Sequence, residues 1–390
     1  MIPYGKHSIN DGDIEEVVKV LKSGHLTQGE SVEIFEDSVA KYVGAKFAVA
    51  VSSGTAGLHL ACLAAGVGNG DSVITSPITF VASANCATYL GAKVIFADID
   101  PLSLNICPEK ISECLKINGN VKAVIPVHFA GLACDMSSIA DLAQDRGITV
   151  IEDAAHAFGA SYLSGKKVGC CQYSAMTVFS FHPVKSIAAG EGGVITTNDD
   201  LLYRKLLRLR SHGINKAQDN FLNQQESQTD GVKNLWYYEM QELGYNYRIP
   251  DILCALANSQ LKRLDRFIEK RRQLARRYDD FFREFDLITP AQDTRNQLSA
   301  HHIYPILINF SKIGVSRTQL MQSLLNVGVG SQVHYIPVPH HPYYKVGAEV
   351  PVGIAFAEDY YKNALTIPLF YELSFLQQEK VVSELKKLVN

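Results

Sequence analysis

The chain predicts an α/β fold, a mostly parallel central sheet covered by helices with a smaller α+β C-terminal domain. Three observations carry this reading. Short apolar runs alternate with helix-like stretches through the first two-thirds, an acidic pair closes one of those runs, and the pattern changes near Pro250.

In chain order, residues 47–51, 72–74, 93–96, 123–126 and 149–151 read as short buried strands, and 175–181 (AMTVFSF) and 192–197 (GGVITT) as two more. Asp153 then lies just past the carboxyl end of its strand, where open α/β sheets bind ligands. Residues 251–285 carry an apolar stripe interrupted by Lys262-Arg263, Lys270-Arg271-Arg272 and Arg276-Arg277. That stripe predicts one long helix or two broken ones, so the chain divides into 1–250 and 251–390.

Composition bounds the function. The 390 residues, 47% of them hydrophobic, suffice for a large core. The net charge of −3, with Asp265, Glu269, Asp279 and Asp280 between the arginines, argues for a solvated helix face and against nucleic acid. The start lacks the apolar core of a signal peptide, and no run of eighteen apolar residues occurs, so the expectation is a cytoplasmic protein without a membrane span. Eight cysteines without a CxxC, two of them adjacent at Cys170-Cys171, read as reduced thiols. His301-His302, His334 and His340-His341 lack acidic or thiol partners at ligand spacing, so no metal is expected. Residues 215–233 form the one long polar stretch, of a length that tends to be functional.

Three segments carry chemistry. Lys185 sits in Ser180-Phe181-His182-Pro183-Val184-Lys185-Ser186, on the turn between two strands. Upstream lies Glu152-Asp153-Ala154-Ala155-His156. A lysine to bond the cofactor and a carboxylate to keep its ring nitrogen protonated are what a pyridoxal phosphate (PLP) enzyme requires. Either residue alone reads more simply as a surface charge or a helix cap. The third segment, residues 48–61, is a short strand, a small-residue turn with Gly54 and Thr55, and a helical pattern. Such a turn aims N–H groups and the positive helix end at an anion, here as a phosphate cradle that is neither a Walker loop nor a dinucleotide fingerprint.

With Ser53-Gly54-Thr55-Ala56-Gly57-Leu58-His59, Pro77-Ile78-Thr79-Phe80-Val81-Ala82-Ser83, Val127-His128-Phe129-Ala130-Gly131, Gly190-Glu191-Gly192-Gly193 and Gly244-Tyr245-Asn246-Tyr247-Arg248, the chain resembles the DegT/DnrJ/EryC1/StrS sugar aminotransferases almost end to end. The resemblance implies the type I fold of PLP enzymes, like that of aspartate aminotransferase. It implies that Lys185 bonds PLP and shuttles a proton, that Asp153 pairs with the ring nitrogen, that Phe80 stacks on the ring, and that His156 lies beside the ring oxygen. It further implies that Gly54, Thr55 and Ser180 hold the phosphate, with Asn246 reaching it from the other subunit of a homodimer with shared sites. The donor would be L-glutamate and the acceptor a nucleotide-linked 4-keto-6-deoxy sugar. His156, Trp236 to Gln241 and Val333 to Val338 resemble most the branch serving pseudaminic acid biosynthesis; GDP-perosamine synthase and other 4-keto-sugar enzymes are the alternatives. Candidates for the sugar side are His128, His182, Arg248, His334 and Tyr335, each with a plain structural alternative. Relatives that remove oxygen carry histidine in place of the lysine, and a non-catalytic relative would have lost Lys185 or Asp153; both residues are present.

Overall fold

A computed structural model describes residues 1–216, 221–283, 285–292, 298–347 and 349–389. Its main sheet has seven strands: β1 (Phe47–Val51), β2 (Ser72–Thr75), β3 (Lys93–Phe96), β4 (Val121–Ile125), β5 (Thr149–Asp153), β6 (Met176–Ser180) and β7 (Gly193–Thr197). The spatial order is β1-β7-β6-β5-β4-β2-β3. β7 runs antiparallel to both neighbours, β6 and β1, and the remaining pairs are parallel. An antiparallel pair needs no crossover helix. The β6–β7 connection is therefore free to be the Lys185 turn.

Strand residues alternate between two cores because successive side chains point to opposite faces. Ala48 and Ala50 join one core, while Val49 and Val51 join the other. Both faces are thus covered, which explains why these strands read as continuous apolar runs. β5 extends two residues beyond the expected run, and Asp153 is its last residue, paired in register with Val178 of β6. The expectation that Asp153 follows the strand is corrected accordingly.

The 251–285 stretch is two helices, Asp251–Leu261 and Leu264–Phe282, broken at Lys262-Arg263. Arg263 leaves the helical region at φ −111° and ψ 0°, and its guanidinium pairs with the buried Asp13 carboxylate. Helix Leu264–Phe282 is shared: Leu264, Phe267 and Ile268 enter a core of the large sheet, whereas Leu274, Ala275, Tyr278 and Phe282 enter that of a smaller one. The small sheet is antiparallel, from Ile288–Pro290, Tyr304–Ile308 and Ala364–Ile367. The Ile2 N–H bonds the Gly328 carbonyl at 2.8 Å, so the N-terminus joins this second core.

Arg271 departs from the expected solvated face. It is 2% exposed and donates to the carbonyls of His301, His302 and Leu369. Of the 215–233 loop, residues 217–220 lie outside the described residues; Gln228–Thr229 pairs with Val232–Lys233, and beyond the loop Leu235 and Trp236 stand exposed. The eight cysteines are free thiols, seven of them buried. Among the described residues, no helix is long and apolar enough to cross a membrane, and no group of three or more His, Cys, Asp or Glu side chains is arranged to hold a metal ion.

Candidate active site

The cradle begins where β1 ends. Ser53 is extended at φ −164° and ψ 163°, and its Oγ accepts the Ala56 N–H at 3.1 Å, capping helix Gly54–Ala64. A Cβ on Gly54 would stand 2.8 Å from the Ser180 Cβ, and one on Gly57 would stand 2.8 Å from Val178 Cγ1. Only glycine lets the helix start lie this close to β6. The first N–H groups of the helix have no partner within it, so they and the helix dipole favour an anion here.

One cavity of about 430 Å³ brings Gly54, Thr55, Phe80, Asp153, Ser180 and Lys185 together. Asp153 and Ser180 end their strands, Phe80 and Lys185 lie in the connections that follow, and Gly54 and Thr55 open the helix after β1. Phe80 is 59% exposed, so it is a cavity wall and not a core residue. Asp153 is nearly buried, yet both oxygens are held: Oδ2 accepts from Ser83 Oγ at 2.6 Å, and Oδ1 from the Ala155 N–H at 3.1 Å.

Lys185 follows a tight turn in which its N–H bonds the His182 carbonyl at 2.9 Å. Burial strips water from the ammonium and lowers its pKa to about 8, with the Asp153 charge opposing part of that shift. A neutral, nucleophilic amine is thus accessible near neutral pH. His156, His182, His334 and Tyr335 share the cavity. His156 Nε2 lies 3.0 Å from the Tyr335 hydroxyl, and His334 Nδ1 lies 2.9 Å from Thr366 Oγ1. Burial first, then the Lys185 charge, pushes His156 well below the ordinary histidine value, and the same two causes lower His334 to about 4. Both rings are neutral hydrogen-bonding groups.

Three expected residues stand elsewhere. His128 is fully buried outside the cavity, with Nε2 2.7 Å from Glu152 Oε2 and Nδ1 accepting the Cys134 N–H at 3.1 Å. Adjacent strand residues face opposite sides, so Glu152 and its partner His128 lie behind the site that Asp153 faces. With both ring nitrogens taken, His128 has no atom for a sugar, which corrects that expectation. Arg248 lines a separate polar cleft with Glu36 and Arg210 and does not reach the substrate cavity of its own chain. Asn246 is exposed and outside that cavity, although the Tyr247 carbonyl accepts the Ser52 N–H at 2.8 Å beside the cradle.

Thr79, Ser83 and His302 were missed as site residues. Ser83 and Asp153 are 70 residues apart in the chain, so only the close spacing of Thr79, Phe80 and Ser83 offered a signal. His302 lines the cavity, its ring centroid 4.3 Å from that of His156, with the segment held by Arg271.

The donor set fits PLP: an anion cradle, an exposed aromatic face, a fixed carboxylate and a nucleophilic lysine meet in one cavity, and the buried Nδ1 of His156 has no protein partner. Gly54, Thr55 and Ser180 would hold the phosphate, and Lys185 the aldehyde carbon.

Comparison with known proteins agrees with this geometry. Residues 7–386 match the DegT/DnrJ/EryC1/StrS aminotransferase family. The chain is 40% identical over 393 residues to the spore coat polysaccharide biosynthesis protein SpsC of Bacillus subtilis, covering 100% of this chain and 97% of the relative. It is 38% identical over 387 residues to the UDP-4-amino-4,6-dideoxy-N-acetyl-β-L-altrosamine transaminase of Campylobacter jejuni, covering 98% and 96%. Among solved structures, Helicobacter pylori PseC, an aminotransferase involved in pseudaminic acid biosynthesis, superposes with a TM-score of 0.88 at 29% identity, over 100% of this chain and 99% of that one. Another solved neighbour is known in both a PLP form and a PMP form. A match of this extent means that the chain belongs to the DegT/DnrJ/EryC1/StrS aminotransferase family.

Proposed function

We propose that this aminotransferase moves the amino group of L-glutamate to C4 of a nucleotide-linked 4-keto-6-deoxy sugar, with UDP-2-acetamido-2,6-dideoxy-β-L-arabino-hex-4-ulose of the pseudaminic acid pathway as its acceptor. The observation that carries the reading is the convergence of Lys185, Asp153 and the Gly54–Ala64 helix start on one cavity. PLP is the cofactor, and when bound it supplies an electron sink for the carbon that loses or gains a proton.

The residues divide the work. Gly54, Thr55 and Ser180 bind the phosphate. Asp153 holds the proton at the ring nitrogen, while Phe80 covers a ring face and excludes water from it. The Lys185 amine, released when the substrate nitrogen takes its place, removes the proton from the carbon bearing that nitrogen and returns one during the second half-reaction. Glutamate leaves as 2-oxoglutarate, and the ketone leaves as an amine. His182, His334 and Tyr335 line the remaining wall and would orient the sugar.

The same reading includes a homodimer with Asn246 reaching the partner's phosphate, supported by its exposure outside its own cavity. It also includes a cytoplasmic location, in keeping with eight unpaired thiols, and a division of the chain into 1–250 and 251–390. A panel of UDP-, GDP- and dTDP-linked 4-keto-6-deoxy sugars with L-glutamate tests the assignment, reading 2-oxoglutarate release. The UDP-linked N-acetyl sugar should give the highest kcat/KM. A preference for a GDP- or dTDP-linked sugar overturns the pathway assignment, and release with none of them overturns the reaction.

A further inference from the structure

We propose that Thr79 and Ser83 are positioning residues that act through Asp153: a two-hydroxyl relay that fixes the carboxylate facing the cofactor's ring nitrogen. The inference rests on the proposed role of Asp153 and adds what holds it.

The relay has a direction. A carboxylate accepts hydrogen bonds and donates none, so the 2.6 Å contact between Ser83 Oγ and Asp153 Oδ2 uses the Ser83 proton. Ser83 Oγ also lies 3.4 Å from the Phe80 carbonyl. The carboxylate wins, because the contact is shorter and charge-assisted. With its proton committed, Ser83 Oγ presents lone pairs, and Thr79 Oγ1 at 2.7 Å donates to them. Bonds linked in one direction polarise each other, and burial raises their weight: Ser83 is 0% exposed and Thr79 3%. The Ala155 N–H on Oδ1 completes a two-point hold on a carboxylate that would otherwise rotate about its terminal torsion.

The relay also links two contacts that the sequence treats separately. Phe80, the exposed cavity wall, lies between Thr79 and Ser83, and the Ser83 N–H bonds the Phe80 carbonyl at 3.3 Å. One turn of chain after β2 thus sets both the aromatic face and the acid. Nothing else among the described side chains bonds the Asp153 carboxylate.

The test reads the ring nitrogen directly. Apoprotein is reconstituted with PLP labelled with 15N in the ring, and the chemical shift of that nitrogen is followed in Ser83→Ala, Ser83→Thr, Thr79→Val and Asp153→Asn, with kcat for glutamate half-turnover measured alongside. Asp153→Asn should move the signal fully toward that of a neutral pyridine. Ser83→Ala should move it part of the way and lower kcat about 10-fold or more, the effect of one charge-assisted hydrogen bond. Thr79→Val should shift it less in the same direction, and Ser83→Thr should restore the parent signal. If Asp153→Asn leaves the signal in place, the assigned role of Asp153 is wrong. If Asp153→Asn moves it while Ser83→Ala and Thr79→Val do not, the relay alone is refuted. Should Ser83→Ala not fold, Thr79→Val decides the question in its place.

Discussion

Replacing Gly54 with alanine tests the phosphate cradle through a single methyl group. The added Cβ would stand 2.8 Å from the Ser180 Cβ and 3.3 Å from its Oγ, where ordinary contact begins near 3.4 Å. Two effects oppose each other. Alanine is a better helix residue than glycine by roughly 0.5–1 kcal/mol, whereas forcing an extra carbon into a close-packed site costs about 1–3 kcal/mol. The obstacle is a strand residue and not the end of a flexible side chain, so overpacking should win. The helix start then shifts away from Ser180, and the phosphate loses its two-sided grip. We expect the dissociation constant of PLP, measured by titrating apoprotein and following the visible band, to rise about 10- to 100-fold, with each factor of ten worth about 1.4 kcal/mol. Gly68 is the control: a Cβ there meets nothing within 4 Å, so Gly68→Ala should bind PLP as the parent does. A Gly54→Ala protein that is more stable and holds PLP within twofold of the parent would refute the close-approach argument.

Lys185→Ala should abolish both turnover and the yellow band that glutamate bleaches in the parent, because the covalent anchor and the proton carrier are one group; near-parental turnover would sink the assignment. Since burial lowers the Lys185 pKa to about 8, the rate of PLP capture by apoprotein should climb about tenfold per pH unit below 8 and level off above it. Asp153→Asn should move that inflection to lower pH, as it removes the charge that favours the ammonium. Glu152→Ala removes the acceptor shared by His128, Tyr162, Ser174 and Thr177, so urea unfolding should show a loss of about 3–5 kcal/mol. A loss under 1 kcal/mol would show that the cluster is replaceable. Mixed dimers of Lys185→Ala and Asn246→Asp chains should recover about half the parental activity if Asn246 serves the partner's site, and none if it serves its own.

The site was legible in proportion to how local its chemistry is. Gly54 and Thr55 could be read as a cradle because a strand, a small-residue turn and a helix follow within one segment. Lys185 and Asp153 could be paired because a PLP enzyme requires both. His128 misled, since a histidine after a strand end is equally placed to face the cavity or the buried Glu152, and strand alternation at Glu152-Asp153 settles which. The arginines of 263–277 misled likewise: the stripe shows which residues are polar, but only packing reveals that Arg271 finds three carbonyls and Arg263 finds Asp13.

The sequence by itself determined the layered α/β architecture, a lysine on the connection between two strands and a carboxylate at a strand end, and a small-residue turn opening a helix, because periodicity, glycine placement and residue chemistry act over a few neighbouring positions. The tertiary structure alone decided that Ser83 and Thr79 lie behind Asp153, that the His302 ring packs tilted against that of His156, that β5 runs on to include Asp153, and that Ile2 joins the C-terminal core. Each of these depends on strand order and on contacts between segments far apart in the chain, and no local pattern encodes which distant hydroxyl a buried carboxylate will meet.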